Sequence, residues 1–497
     1  MCLFNCKVIF GQFNLLQRTD SLDNYIEKYL SIFNVPGMAI GIVKDGSIYY
    51  QKGYGIKSLS TKSPVDNLTL FPIASVTKTF TGILLSALAS ENGFSLNEPI
   101  NKFVPSFQPQ FEPYKSTISL ADVLSHRSGW KTFQGDFLNT ESTLSDSQLV
   151  KRLNYLKPVH PLRTKFGYSN MGFLLAGMAV KKFTGSSFSK QLQMRIFNPL
   201  QMHQTFTDSV DVKSYTNKSG LHVQVNNGVA STTAKYEGAR GYGGMYSTVS
   251  DLCIWMKILL DSGKYNNRQI IPYKAIEQSF NSYSIIGKQT AGNRKKYLKT
   301  YGLGWEIIQY EGVEIIQHGG AYAGSLSMLA LIPSLKFGVV ILTNGDFHPL
   351  QETLKWQLID ALLQLPSIDY TNAALVRRNQ RMELSSSENS LNNTIDSLIR
   401  MTELISKTIE GQYSCDAYGN AWIKKINNKY ILQLEHHPSV LGELKYKGNN
   451  VFECSYSHAM FGKQKFIFHI NENGVTGFDL RVDPFIEDET YLFNRIN

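Results

Sequence analysis

Residues 305–343 decide the fold, and they read WEIIQYEGVEIIQHGGAYAGSLSMLALIPSLKFGVVILT. Apolar runs rich in Ile, Leu and Val alternate here with short turns that contain Gly, Pro or Ser. Runs of this length and composition are typical of β-strands. The segment therefore predicts four strands, which are Trp305–Ile308, Val313–Gln317, Leu326–Ile332 and Phe337–Thr343.

A second group of strands lies far upstream. Met38–Val43 and Ile48–Tyr50 are β-rich runs on either side of Asp45-Gly46, and Asp-Gly between such runs is a strong hairpin signal. Helical periodicity covers about residues 21–32, 75–89, 171–183, 252–260 and 350–365. The sequence thus predicts an α/β (α+β) fold, in which an antiparallel sheet is flanked by helices and carries an inserted all-α subdomain.

The C-terminal part of the chain has a different pattern. From residue 409 onward, short runs with β alternation are separated by Asn- and Gly-containing turns, which predicts an all-β, barrel-like domain. Its larger aromatic residues are expected in the core rather than on a ligand platform; they are Tyr430, Phe452, Tyr456 and Phe461. The predicted division is an N-terminal segment 1–19, a mixed domain 20–368, a linker with a helix 369–408 and the β domain 409–497.

Composition excludes several classes of protein. The 497 residues are 42% hydrophobic and 12% aromatic, which fits a globular chain with a large core rather than a disordered or fibrous one. The net charge of +10 is mild for this length. The densest basic cluster favours a solvated loop over a nucleic-acid-binding patch, so we expect no nucleic-acid partner; it contains Lys288, Arg294, Lys295, Lys296 and Lys299.

Cysteine and histidine give no metal-site pattern. The five cysteines are scattered without a CxxC pair. Cys415 and Cys454 either bridge within the C-terminal segment or stay free, and free thiols are favoured. The ten histidines are dispersed, and the adjacent pair His436-His437 before Pro438 is interpreted as a solvated turn. We therefore expect neither a metal nor a cofactor.

Membrane and targeting signals are weak. No apolar run reaches the ~18 residues that span a bilayer, so we expect no integral membrane span. The N-terminal segment is apolar but lacks a basic region and is broken by polar residues, as in a degraded signal peptide. This favours a periplasmic or secreted location and leaves the cytoplasm open. The sequence sets no oligomeric state.

The first candidate catalytic motif is Ser75-Val76-Thr77-Lys78, which lies where a predicted strand or loop turns into a long apolar helix. A serine at this place also fits an ordinary helix cap. Lys78 is less ordinary, because a cation in the first turn faces the positive end of the helix dipole. Dipole and burial together should lower the pKa of Lys78, so that it could take the proton of Ser75.

The second candidate motif is Tyr168-Ser169-Asn170, at the entry of the next apolar helix. A tyrosine can act as acid or base if nearby cations lower its pKa from ~10. Asn170 can hold a lysine and a substrate carbonyl, because its amide both donates and accepts. A buried core tyrosine with a capping asparagine is the competing structural interpretation.

The third candidate motif is His318-Gly319-Gly320, expected to close the strand Val313–Gln317. Glycine here permits close approach of a ligand to the backbone. The following amide, at Ala321, could then donate to an oxyanion together with the amide of Ser75. A glycine-rich turn with a surface histidine is the structural alternative.

In this order the three motifs resemble the serine β-lactamase and penicillin-binding-protein superfamily, whose signature is Ser-x-x-Lys, Tyr-x-Asn and Lys/His-x-Gly. The resemblance covers about residues 20–365, and the segment from about 409 is similar to β domains that often follow such hydrolases. Tyr168 in the second motif points to the class C β-lactamase, DD-peptidase and esterase branch. Other stretches resemble scaffold segments of the family, namely Leu124–Gly129, Gly243–Thr248 with Asp251, and Tyr301–Trp305.

The resemblance implies a serine hydrolase that acts on an amide or ester bond of a small-molecule or peptide substrate. Ser75 would attack the carbonyl, and Lys78 and Tyr168 would move the proton. Asn170 would position the substrate and Lys78. The amides of Ser75 and Ala321 would hold the oxyanion until water releases the acyl-enzyme. The family mechanism needs no metal or cofactor.

One position departs from the β-lactamase pattern. Dedicated β-lactamases usually carry Lys where this chain has His318, and histidine is mostly neutral at pH 7. His-x-Gly with Gly320 resembles esterase-type and D-aminopeptidase-type members, so we expect weak β-lactam hydrolysis and an ester or D-amino-acid amide substrate. The alternative is a penicillin or peptidoglycan sensor that is acylated without turnover. An α/β-type hydrolase is disfavoured, because the chain has no Gly-x-Ser-x-Gly elbow.

Overall fold

Two β structures organise the chain in a computed structural model that describes residues 19–112, 114–225, 228–233, 238–291, 296–366, 368–377 and 403–496. The first is an eight-stranded antiparallel sheet with helices packed on it, and the second is a closed eight-stranded barrel. The predicted fold class is therefore confirmed.

The strands of the first part are β1 (Gly37–Lys44), β2 (Ser47–Gly55), β3 (Phe71–Pro72), β4 (Leu221–Val225), β5 (Gly228–Thr232), β6 (Tyr246–Ser247), β7 (Lys264–Tyr265), β8 (Arg268–Gln269), β9 (Ser284–Thr290), β10 (Lys296–Tyr301), β11 (Glu306–Tyr310), β12 (Val313–Tyr322), β13 (Ser325–Ile332) and β14 (Phe337–Thr343). The barrel strands are β15 (Gly411–Cys415), β16 (Gly419–Ile426), β17 (Lys429–Leu434), β18 (Leu441–Gly448), β19 (Val451–Tyr456), β20 (Lys463–Asn471), β21 (Gly474–Leu480) and β22 (Tyr491–Arg495).

The helices that precede the barrel are α1 (Thr19–Ile32), α2 (Thr77–Asn92), α3 (Tyr114–Thr117), α4 (Leu120–Leu124), α5 (Asp146–Leu153), α6 (Asn170–Thr184), α7 (Phe188–Leu192), α8 (Asn198–Leu200), α9 (Ser209–Ser214), α10 (Val249–Leu260), α11 (Tyr273–Phe280) and α12 (Leu350–Leu362). Residues 370–377 are also helical, and a short helix, Glu403–Thr408, leads into the barrel. Within the described ranges, no helix is both long enough and apolar enough to cross a membrane.

The sheet has the strand order β2-β1-β14-β13-β12-β11-β10-β9. Its N-terminal hairpin turns at Asp45 and Gly46, which both have positive φ, as a two-residue hairpin turn requires. Each central strand buries both faces, and alternate residues enter different cores. Ile40 of β1 packs on the side of α1 and α12, whereas Ala39 packs on the side of α2 and α10. The sheet thus separates two hydrophobic cores.

The predicted solvated loop at the basic cluster is wrong. Lys288 lies in β9, and Lys296 and Lys299 lie in β10, so this segment forms the edge hairpin of the sheet. Charged side chains on an edge strand hinder its pairing with other chains. A strand at the edge of a sheet can therefore carry such side chains and lack a regular alternation of apolar residues. Arg294 and Lys295 lie outside the described residues.

The barrel confirms the expected aromatic core, because all four aromatic residues named for it are buried. Cys415 and Cys454 are free thiols. The interpretation of His436-His437 as a solvated turn is wrong: His437 is 2% exposed and lies against the first domain, where it bonds the backbone of Phe137. The predicted polar linker around residues 385–393, most of the helix expected after it and residues 1–18 lie outside the described residues.

Candidate active site

Ser75 lies on the turn that connects β3 to α2. A single 3-10 turn, Ala74–Val76, runs directly into the helix. Ala74 has φ +46°, a left-handed conformation that costs a non-glycine residue roughly 1–3 kcal/mol. Strain of this kind is found where a turn must present a particular side chain, and here it precedes a half-buried Ser75 at the N-terminal end of α2.

Lys78 lies one turn further along α2 and is fully buried. Its Nζ is 3.0 Å from Ser75 Oγ, 2.7 Å from Asn170 Oδ1 and 2.7 Å from the backbone oxygen of Tyr242. The latter two oxygens can only accept hydrogen bonds, so each must take one N–H of the amine. The remaining position on Nζ therefore faces the hydroxyl of Ser75.

The surroundings of Lys78 favour its neutral form. Burial lowers the pKa of Lys78 well below its usual value, and the nearby carboxyl of Asp136 opposes this effect only in part. A neutral amine that donates to Asn170 and Tyr242 directs its lone pair at Ser75 Oγ. The geometry is that of a base placed to accept the serine proton.

Tyr168 is the third candidate catalytic side chain beside Ser75 and Lys78. Its ring centroid is 4.8 Å from Lys78 Nζ, and its phenol interacts with the side chain of Ser75. The expectation that nearby cations lower the pKa of Tyr168 is wrong, because burial raises that pKa instead. Tyr168 thus stays a protonated phenol in the free protein and can supply or relay a proton.

Asn170 is the first residue of α6 and links the lysine to an acidic residue that sequence analysis missed. Its Oδ1 accepts from Lys78, while its Nδ2 donates to Asp136 Oδ2 over 2.5 Å. These two contacts fix which way the amide points. Asp136 is 8% exposed, and burial together with the charge of Glu487 raises its pKa well above the usual range. No recurring motif marks Asp136 in the sequence.

The end of β12 lies against the Ser75 turn. Contrary to expectation, the strand continues through His318-Gly319-Gly320 to Tyr322, paired with β13. A Cβ added at Gly320 would lie 2.9 Å from the Ser75 nitrogen and 2.5 Å from the Ile73 oxygen. Glycine is therefore required by close approach of two backbones rather than by a turn. Ala321 follows at the exposed rim.

His318 is 3% exposed, and both its ring nitrogens are bonded within the protein. Nδ1 contacts the oxygen of Gly319 at 2.5 Å, which requires a proton on Nδ1. Nε2 is 2.8 Å from the hydroxyl of Tyr301, which donates to it when the ring is neutral. Burial lowers the pKa of His318 to about 4. His318 therefore carries no charge at neutral pH.

The segment Leu124–Gly129 acts as a support behind Tyr168. His126 is fully buried, its Nδ1 accepts from the backbone of Ser169 at 3.0 Å, and its ring centroid is 4.3 Å from that of Tyr168. Asp122, just before this segment, is buried between the guanidinium groups of Arg127 and Arg163. These contacts hold the entry of α6 against α4.

In the parts of the chain that the structure describes, no group of three or more His, Cys, Asp or Glu side chains could hold a metal ion. The residues that do converge are a serine, a lysine, a tyrosine and an asparagine beside a strand end, as the three sequence motifs together require. The beta-lactamase family model matches residues 22–364. The chain belongs to the beta-lactamase family.

Relatives cover much of this chain. Protein flp of Staphylococcus aureus (strain NCTC 8325 / PS 47) is 28% identical over 350 residues, which are 68% of this chain and 66% of that protein. Unguisins hydrolase ungD' of Aspergillus campestris is 28% identical over 363 residues, 68% of this chain and 64% of that protein. The chain thus spans slightly less than two thirds of the length of these relatives.

A solved structure extends the similarity of fold to the barrel. The octameric penicillin-binding protein homologue from Pyrococcus abyssi has a TM-score of 0.62 and covers 96% of this chain and all of that chain, at 21% identity. The likeness at this identity concerns the fold.

Proposed function

We propose that this protein is a serine hydrolase that cleaves an ester or amide bond through an acyl-enzyme on Ser75. The observation that carries the proposal is the environment of Lys78 Nζ. Two carbonyl oxygens, of Asn170 and Tyr242, take its N–H groups, and the third direction faces Ser75 Oγ at 3.0 Å. A buried, neutral lysine in this position is a base directed at a nucleophile.

In the proposed acylation, Ser75 Oγ gives its proton to Lys78 Nζ and bonds to the substrate carbonyl carbon. The carbonyl oxygen becomes an oxyanion, and the backbone N–H groups of Ser75 and Ala321 donate to it. Gly320 supports this arrangement, because without a side chain it lets β12 approach the Ser75 turn. The C–O or C–N bond then breaks, and the leaving group takes a proton from the Tyr168 phenol, which Lys78 replenishes.

Deacylation reverses these proton movements. Water takes the place of the leaving group and attacks the acyl carbon; it gives its proton to Tyr168, which at the same time passes its own phenol proton to Lys78. The ester bond to Ser75 breaks, and Ser75 Oγ recovers its proton from Lys78. This cycle uses only groups of the protein and one water molecule, so that each turnover returns the site to its starting state.

The substrate that we propose is an ester or a D-amino-acid amide rather than a β-lactam. His318 supports this choice, because it is neutral at neutral pH and its ring nitrogens are already bonded to Gly319 and Tyr301. A carboxylate-bearing substrate would find no fixed cation there. The name of the Aspergillus relative, an unguisins hydrolase, supports hydrolysis as the reaction class.

Turnover of p-nitrophenyl acetate by wild type and Ser75→Ala tests the proposal. We expect steady release of p-nitrophenol by wild type, in large excess over the protein, and none above background by Ser75→Ala. A single burst equal to the protein concentration would instead indicate a sensor that is acylated without turnover. Equal rates for the two proteins would refute Ser75 as the nucleophile.

A further inference from the structure

One of the contacts between the barrel and the first domain is a buried carboxylate. Glu487 lies in the loop between β21 and β22 and is 1% exposed. Its oxygens accept the backbone N–H groups of Gly135 at 2.7 Å and Phe137 at 3.0 Å. The hydroxyls of Tyr418 and Tyr491, both in the barrel domain, also donate to it. Four donors on two oxygens identify an acceptor that is held in a single position.

The same short segment is held by further barrel residues. His437 Nε2 donates to the oxygen of Phe137 at 2.8 Å, and the two rings stack with centroids 4.3 Å apart. The ring of Phe137 also contacts Tyr418 and Phe461. Phe137 is fully buried by these contacts. The barrel therefore holds the backbone on both sides of residue 136.

Asp136 is the residue between those two anchored amides. Its Oδ2 accepts from Asn170 Nδ2, and Asn170 Oδ1 accepts from Lys78 Nζ. Its Oδ1 has no hydrogen-bond partner among the described residues, so the bond to Asn170 is the contact that orients the carboxyl. A continuous path thus runs from Glu487 through the 135–137 backbone, Asp136 and Asn170 to the lysine.

We propose that Glu487 of the barrel is a positioning residue for Lys78, acting through the 135–137 segment, Asp136 and Asn170. Glu487 does not touch the reacting atoms. It fixes the backbone that carries Asp136, which fixes the amide of Asn170, and this amide holds the amine against Ser75. The barrel is then part of the hydrolase rather than an appended module. The inference rests on the proposed acyl-enzyme function and adds a role for the second domain.

The docked interface carries an electrostatic cost that the contacts of Glu487 offset. Burial and the charge of Glu487 raise the pKa of Asp136, and burial raises that of Glu487. Two carboxyls are thus kept close together in a dry interface, which is unfavourable by itself. The donors on Glu487 compensate for that cost. Removing the carboxylate leaves the amides of Gly135 and Phe137 without acceptors and loosens the segment, although His437 still bonds the oxygen of Phe137.

The test uses the full-length chain with Glu487→Ala, Glu487→Gln and the control Arg152→Ala. Arg152 also crosses the interface, to the oxygen of Asp416 and to His436, but does not contact the 135–137 segment. We measure kcat and KM for p-nitrophenyl acetate, the rate of Ser75 labelling by a fluorophosphonate, and the melting temperature. All kinetics are done well below the melting temperature of each variant.

We expect Glu487→Ala to lower kcat and the labelling rate about 100-fold with KM within threefold, as for a misplacement of about 1 Å at the reacting groups. Glu487→Gln keeps one acceptor oxygen and should lose less, whereas Arg152→Ala should keep kcat. Folded Glu487 variants with wild-type kcat would overturn the inference. A loss of kcat in Arg152→Ala as large as that in a Glu487 variant with the same drop in melting temperature would also overturn it. A wild type with neither turnover nor labelling would refute the proposed function itself and this inference with it.

Discussion

Gly320→Ala adds one methyl group where β12 meets the Ser75 turn. The new Cβ would lie 2.3 Å from Ser327 Oγ, 2.5 Å from the Ile73 oxygen and 2.9 Å from the Ser75 nitrogen. Ordinary contacts begin near 3.4 Å, and two of these three atoms belong to the backbone. The strand and the turn must therefore separate by about 0.9 Å, the difference between 2.5 and 3.4 Å.

This separation should have a large kinetic effect and a modest effect on stability. The proposed oxyanion donors lie on the two elements that move apart, at Ser75 and Ala321. Loss of one such donor, or a misplacement near 1 Å, lowers the rate about 10²- to 10³-fold. Overpacking of a core contact lowers the free energy of unfolding by about 1–3 kcal/mol. Gly320→Ala should thus be folded and nearly inactive.

Gly319→Ala is the matched control, one residue earlier and on the opposite face of β12. Its Cβ would meet only the flexible end of Met328 at 3.3 Å and the Ser327 oxygen at 3.7 Å. We expect kcat/KM for p-nitrophenyl acetate within a few-fold of wild type for this variant. A folded Gly320→Ala protein with kcat/KM within threefold of wild type would refute the close approach of β12 as the basis of the site.

Three further outcomes follow. Lys78 must be neutral to accept a proton, and its pKa is well below 10.5. We therefore expect kcat/KM to fall at acid pH and to reach its plateau well below pH 10.5. A value of kcat/KM that still rises at pH 10 would contradict this. Asp122→Asn should lower the free energy of unfolding, measured in urea, by roughly 2–3 kcal/mol, while the folded protein keeps its kcat. This loss is smaller than for a fully buried ion pair, because the side chain of Arg163 is 48% exposed. Because His318 is neutral at pH 7, nitrocefin should be hydrolysed with a kcat/KM about 10- to 100-fold below that of the ester, and comparable values would show another carboxylate site.

The sheet was predictable where apolar runs are long and buried. Phe337–Thr343 is a strand with the predicted bounds, because β14 is an interior strand of the sheet and all its residues are buried. The hairpin β9–β10 was missed, because its exposed positions mix lysine with apolar Ile285 and Leu298 and so give no regular alternation. The sequence predicts that β12 ends at Gln317, because the two glycines after His318 are typical of a turn. In the structure the strand continues, and Gly320 permits the close approach of two backbones.

The site was predictable only as far as its motifs extend. Ser75 lies in the 3-10 turn that runs into α2, and Lys78 follows three residues later in α2, so their proximity follows from helical spacing. Asp136 and Glu487 carry no motif, and their contacts join residues 34 apart (to Asn170) and 352 apart (to Gly135) in the chain. His437 looked like part of a polar turn because its burial depends entirely on the docking of two domains.

The most direct measurement of the central claim is the site and rate of covalent labelling by a fluorophosphonate, read by peptide mass spectrometry. Wild type should carry one adduct, on Ser75, and Lys78→Met should be labelled at least about 100-fold more slowly, since a positioned base contributes ~10²- to 10⁴-fold. An adduct on another residue, or undiminished labelling of Ser75 in folded Lys78→Met, would contradict a nucleophile activated by the buried lysine.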